Sequence, residues 1–168
     1  MELSRVERWI LSNQFSILEI LNPNEAASYK EVREAIEQGY EFHYDGFTQY
    51  IYDGDNIMTI DESLLVIDVL DTFSELQRAY QGLSDKSGIE NGRLRFFGFD
   101  GNHETKYMAY ARYFCETGGG RFTSLDHSED FNSHAPSLDR YRRMVEQWKV
   151  SSDKHDLQKD DIVRIISA

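Results

Sequence analysis

The chain has 168 residues, of which 30 are acidic and 18 basic, for a formal net charge of −12. Nucleic-acid and anionic-membrane binding draw on Lys and Arg that neutralise phosphates, so this balance works against both. With 40% hydrophobic and 13% aromatic residues the chain is far too apolar for intrinsic disorder, and no apolar run approaches the roughly 20 residues needed to cross a bilayer.

The length suits one domain, or a domain with a small subdomain, and we read residues 1–168 as a single domain. Met1-Glu2-Leu3-Ser4-Arg5 lacks the basic stretch and apolar run of a signal peptide. Cys115 is the single cysteine, which excludes an internal disulfide and points to a reducing, cytoplasmic setting.

Helical periodicity dominates. A first helix is expected over residues 4–21, with Ser4 and Glu7 as a capping box and Leu3, Val6, Ile10, Ile17 and Leu21 as its core-facing line. Asn22-Pro23-Asn24-Glu25 offers an N-cap, a proline at the first helical position and a carboxylate three residues on. The second helix starts there and should stop at Gly39. Residues 40–57 read as irregular or as a short helix, aromatic and broken by Gly46 and Gly54.

Thr59 and Glu62 make another capping box, opening the clearest helix, with Leu65, Val69, Phe73, Leu76, Tyr80 and Leu83 on one face. We expect it to be central and buried. After a loop closed by Asn91-Gly92, Leu94 and Phe96 alternate with Arg93 and Arg95 at the period of a short strand. Asn102 is placed to cap a helix that ends at Gly118-Gly119-Gly120. Residues 121–125 read as a second short strand and residues 126–135 as a polar loop. Two more helices follow, one carrying Leu138, Tyr141, Val145 and Trp148, the other Ile162, Ile165 and Ile166. The fold expected is all-α and multihelical, with room for a small two-stranded β patch.

Several motifs fail on chemistry. His103-Glu104 opens like a zinc-protease helix, but the second histidine position holds Tyr107. Asp53-Gly54-Asp55-Asn56 has the start of a calcium loop, but Ile57, Met58 and Leu64 stand where an oxygen ligand, a glycine and a bidentate glutamate are needed. The glycine run 118–120 follows a helix rather than preceding one, so it reads as a stop and not as a phosphate cradle. The stretch 126–134 is rich in Asp, Glu and His but reads as a solvated loop, so no metal is expected. Asp61, Asp68, Asp71 and Glu75 read as a solvated face, and Cys115 as a small hydrophobe. Asn13 and Gln14 are harder to explain, since they stand on the line assigned to the core, where buried amides need partners.

Taken together the residues resemble the YfbU family. The resemblance rests on Ile10-Leu11-Ser12-Asn13-Gln14, Ile36-Glu37 with Gly39-Tyr40, then Arg93, Phe96 and Gly98-Phe99-Asp100. It continues through Glu104, Tyr107, Tyr110, Arg112, Gly120-Arg121-Phe122-Thr123, Asp126, Phe131-Asn132 and Pro136. It closes on Tyr141, Arg143-Met144, Trp148, Ile162, Ile165, Ile166 and Ala168. The resemblance implies a helical fold and a bacterial setting and supplies no activity or catalytic residue. Residues 41–58 depart from the family's more charged sequence there, and His103, Cys115 and His134 lie outside the matching pattern.

The function expected is that of a non-catalytic cytoplasmic protein that binds other proteins and forms a homo-oligomer, without a cofactor and without nucleic-acid or membrane partners. The alternative is a small-molecule binder or enzyme with a polar pocket built from Asn13, Gln14, Asp100, Arg112, Arg121 and Asn132. A nucleic-acid-linked role for Arg140, Arg142 and Arg143 is disfavoured by charge. Asp100 is expected to pair with Arg112 or Arg121 and fix the turn between strand and helix.

Overall fold

A capping box opens each of the two longest helices. In the computed structural model, which describes residues 1–168 with the side chain of Asp55 left out, Ser4 Oγ accepts from Glu7 N–H and the Glu7 carboxylate accepts from Ser4 N–H. Thr59 and Glu62 repeat the arrangement. Each box satisfies two backbone donors that a helix start leaves free, so both helices begin where the sequence says they should. The architecture is all-α, with helices α1 Arg5–Leu21, α2 Ala26–Gln38, α3 Tyr44–Thr48, α4 Ile60–Gly82, α5 Thr105–Thr117, α6 Leu138–Lys149 and α7 Lys159–Ile166. Contacts gather into two units, Met1–Gly54 and Asp55–Ala168. Among the described residues no helix is long and apolar enough to cross a membrane.

In unit 1, α1 and α2 form a hairpin. Asn22 does not cap the second helix. Its N–H and side-chain amide both turn back to Leu18 O, closing α1 instead, and Pro23–Glu25 form a 3₁₀ turn that runs into α2. Gly39 ends α2 at φ +73, the left-handed geometry that glycine takes without strain. Residues 40–57 hold the short α3 between two 3₁₀ turns, Glu41–His43 and Gly54–Asn56. The second of these is the calcium-like stretch, which is a turn; the Asp55 side chain lies outside the described residues.

In unit 2, α4 is the central helix and buries Val66, Val69, Leu70, Phe73 and Leu76 against α5, α6 and α7. Phe73, Phe96, Phe99, Tyr107 and Tyr141 form an aromatic cluster with ring centroids 5.1 to 5.7 Å apart. The β patch reduces to two isolated parallel bridges, Phe96 with His127 and Phe99 with Asn132. Residues 121–124 are a turn, not the strand expected, because the partner of the 94–99 segment lies further on. Gln77 of α4 clamps that pairing. Its Nε2 donates to Leu94 O and Asp126 O, while its Oε1 accepts from Asp126 N–H. Nor does Asn102 cap α5, which starts three residues later at Thr105.

Glu62 does more than cap α4. Lys106 reaches its carboxylate at 2.7 Å and the Tyr107 hydroxyl donates to it at 2.9 Å, tying α4 to α5. The Lys106 ammonium, followed by the Thr59 N–H, holds this carboxyl down at about 2. A folded-state value below the unfolded one gives stability that is present above the ordinary carboxylate range and lost as pH falls toward 2. The stability gap between the protein and Glu62→Gln, measured by urea unfolding, should therefore be widest near pH 6 and shrink steadily below pH 4. A gap that does not change with pH would contradict this account.

Candidate functional site

Unit 1 is short of core. Among the described residues it buries three apolar side chains, Ala35, Ile36 and Tyr44, and leaves twelve large ones exposed; unit 2 buries twenty-two and leaves seven. The imbalance starts with α1, which has no buried residue. The face of α1 turned to α2 carries the half-buried Leu11, Phe15 and Leu18 together with polar ties. Arg33 binds Glu19 at 2.5 Å and Glu37 at 3.0 Å, Ser12 donates to Glu37, and Arg8 donates to Ile36 O. The opposite face carries Val6, Ile10, Ile17, Ile20 and Leu21 in solvent, flanked by Trp9 at 68% exposure.

Between α2 and α3 lies an apolar cleft of about 600 Å³, lined by Phe15, Tyr29, Val32, Phe47 and Tyr50, with Glu31, Glu34 and His43 among its polar groups. Phe15 holds it together, edge-on to Phe47 at 6.1 Å and tilted to Tyr29 at 6.2 Å. The following segment projects Phe42 at 94% exposure and Tyr50 at 86%, with Ile51 and Tyr52 beside them. Exposed aromatics gathered with aliphatic residues are the composition of a protein interface core rather than of an ordinary surface.

The polar groups of unit 2 are engaged with one another. Glu104, 8% exposed, accepts from the N–H groups of Asp100, Ser137 and Leu138 and from the Ser137 hydroxyl. Asp100, 2% exposed, accepts from Asn102 N–H and lies 2.5 Å from His103 Nδ1. The His103 bond, then the Asn102 N–H, holds the Asp100 carboxyl below the usual carboxylate range. Asn132 Oδ1 accepts from the N–H groups of Gly101 and His134. Such a knot fixes three loop segments and spends its acceptors on backbone donors.

A model of the YfbU domain matches residues 1–168. The chain belongs to the YfbU family. A UPF0304 protein of Methanocaldococcus jannaschii is 36% identical to it, over 99% of this chain and 99% of that protein. That relative is archaeal, so the family is not confined to the bacterial setting the sequence resemblance implied. Neither name states an activity.

In this YfbU chain the six polar residues named as candidates are divided between the two units. Asn13 and Gln14 stand exposed on α1 of unit 1. They are not core amides, because the line they share with Val6, Ile10 and Ile17 faces outward. Asp100 and Asn132 belong to the loop knot of unit 2. Arg112 donates to Asp130 O at 2.5 Å, and Arg121 to both oxygens of Asp71 at 2.6 Å. The pairing of Asp100 with either arginine is thus replaced by its bonds to His103 and Asn102, since both arginines are drawn to other acceptors. On the acidic side of α4 Asp61 is exposed, as expected of a solvated face, but the other three carboxylates are half-buried and paired. Lys149 binds Asp68, Arg121 binds Asp71, and Arg78 and His155 bind Glu75. Burial raises the Asp71 carboxyl despite the guanidinium beside it. Burial likewise pushes the Cys115 thiol up to about 11, which leaves it protonated and inert near neutral pH. Among the described residues no three His, Cys, Asp or Glu side chains converge on one point.

Phe42, Tyr50, Ile51 and Tyr52 were not singled out by the sequence. Their signal was there, as four large apolar residues in a stretch with no helical or strand period to bury them.

Proposed function

We propose that this YfbU protein works in the cytoplasm by binding other proteins, without a reaction of its own, and that unit 1 carries the contact surface. The observation that supports this is the excess of exposed over buried apolar side chains in unit 1, set against a well-filled core in unit 2. The same balance would be costly for a unit meant to stay alone in water. The buried carboxylates Asp100 and Glu104 support the non-catalytic reading, since their acceptors bind the backbone and neighbouring side chains of their own loops.

The cleft of unit 1 fits an apolar segment of a partner protein flanked by Lys or Arg. Its walls are apolar, Glu31 and Glu34 stand among its lining residues, and the chain as a whole carries −12. The volume also falls within the range of small-molecule sites, the second reading. Such sites orient their ligand with convergent polar groups, and here the Tyr29 hydroxyl is already spent on Glu25 at 2.7 Å.

The test uses two amphipathic helical peptides with the same apolar face, one flanked by Lys and one by Glu. Binding is followed by chemical shifts of the unit 1 aromatic rings. Saturable binding of the Lys-flanked peptide, at least about tenfold tighter than its acidic twin and lost in Tyr50→Glu, is the expected result. Equal affinity for both peptides, or shifts confined to unit 2, would overturn the reading.

A further inference from the structure

The outer face of α1 has a finer pattern than exposure alone. Val6, Ile10, Asn13, Ile17 and Ile20 follow one another at steps of four, three, four and three, with Leu3 three residues ahead. That is the a/d repeat of a helix that packs along one seam against another helix. Within unit 1 the seam has no such partner: Val6, Ile10, Ile17 and Ile20 are 48 to 78% exposed, and Asn13 is exposed with them. The other side of α1 already carries its contacts with α2.

Resting on the reading that unit 1 is the contact surface, we propose that this seam is covered by α1 of a second copy of the chain, antiparallel, with the two-fold axis passing at Asn13. Symmetry, charge and area select that occupant. Asn13 is the middle residue of α1, with eight helical residues on each side. A two-fold axis there sets Val6 against Ile20 and Ile10 beside Ile17, so every apolar rung of one copy meets an apolar rung of the other. The lone amide falls opposite its own symmetry mate, where each side chain can donate to and accept from the other, as a polar residue in an apolar seam requires.

Charge selects in the same direction. Residues 9–18 contain no charged side chain in a chain that is 29% charged, so two copies each carrying −12 find here a surface free of their mutual repulsion. Parallel pairing would bring Arg5 against Arg5 and Glu7 against Glu7. Antiparallel pairing sets Arg5 near Leu21, and Glu7 across from a Glu19 already turned inward to Arg33. It also places the positive end of each helix by the negative end of the other. The six apolar residues of the face, Leu21 and Trp9 included, are 48 to 78% exposed, a contiguous patch that can supply much of the roughly 800 Å² per partner of a stable interface.

The experiment is made on the full chain. Sedimentation at about 50 μM should show a dimer, and Ile17→Asp should raise the dimer dissociation constant at least about 100-fold with helical content unchanged, since residue 17 is solvent-exposed in the single chain. A monomeric parent protein, or a dimer indifferent to Ile17→Asp, would overturn the proposal. Orientation is read by oxidative cross-linking in a Cys115→Ser background. Asn13→Cys should link two copies, Val6→Cys alone should not, and Val6→Cys with Ile20→Cys should. Efficient linking by Val6→Cys alone would mean parallel pairing and sink the two-fold axis at Asn13. Peptide binding in the cleft by the Ile17→Asp monomer separates the two readings. Its retention keeps the contact-surface reading whatever becomes of the dimer, and absence of Tyr50-dependent binding in parent and monomer alike counts against that reading and leaves the dimer to be decided by sedimentation.

Discussion

Gly98→Ala should destabilise the protein by about 4 kcal/mol or more, in the exceptional class of single substitutions. Gly98 sits at φ +90, where an L side chain is strained before any neighbour is considered. An added Cβ would also lie 1.8 Å from the carbonyl oxygen of Phe131 and 2.0 Å from its carbon. Backbone atoms cannot rotate aside as a side chain can, and these are held from both directions. Phe131 O accepts from Phe99 N–H at 3.0 Å, Ser133 N–H donates to Phe99 O, and the Ser137 hydroxyl bonds Gly98 O. Making room means parting the two bridged segments, which releases the hydrogen bonds of the knot and uncovers Phe96, Phe99 and Phe131. Urea unfolding measures the loss. A cost below about 1 kcal/mol would show that the segments can re-register freely, and that the knot is looser than its bonds imply.

Gly98 stands between Phe97 and Phe99 in the sequence, but its contact could not be named from there, because Phe131 lies thirty-three positions on. The same division runs through the molecule. Both capping boxes, the Gly39 stop and the face of α4 depend on residues within a few positions of one another, and all were legible. The failures are those of partner assignment. Periodicity shows that Val6, Ile10 and Ile17 share a side of α1, but a helix with apolar residues on two sides does not say which side meets its own chain. The inner side, with Arg8, Ser12 and Glu19 among its residues, looked like the wet one because its polar groups are tied to α2, an arrangement visible only once α2 is in place. Asn13 was legible as an anomaly, and it remains one until the seam has a partner. Gln77 and Ser137, which clamp loops far away in the chain, carried no local signal at all.

Phe73→Ala should cost about 3–5 kcal/mol, the usual range for emptying a buried aromatic site. Phe73 lies mid-way along α4 and is 1% exposed. Its ring meets Tyr141 edge-on at 5.1 Å and Phe96 at 5.4 Å, so it joins α4 to α6 and to the bridged segments in one contact. Neither neighbour is free to collapse into the space. The Tyr141 ring also packs on Phe99 at 5.5 Å, and Phe96 is pinned through its N–H to Asp126 O and through its carbonyl to Ser128 N–H. A cavity that cannot close keeps its full cost, since the lost burial and the lost ring contacts are not repaid by relaxation. Phe73→Leu should lose much less, because a large apolar side chain still fills most of the volume. Denaturation of both variants should place Leu between the parent and Ala. Equal losses would mean that the ring contacts matter more than the volume, and a loss below about 1 kcal/mol for Ala would mean that α4 does not carry the core on this face.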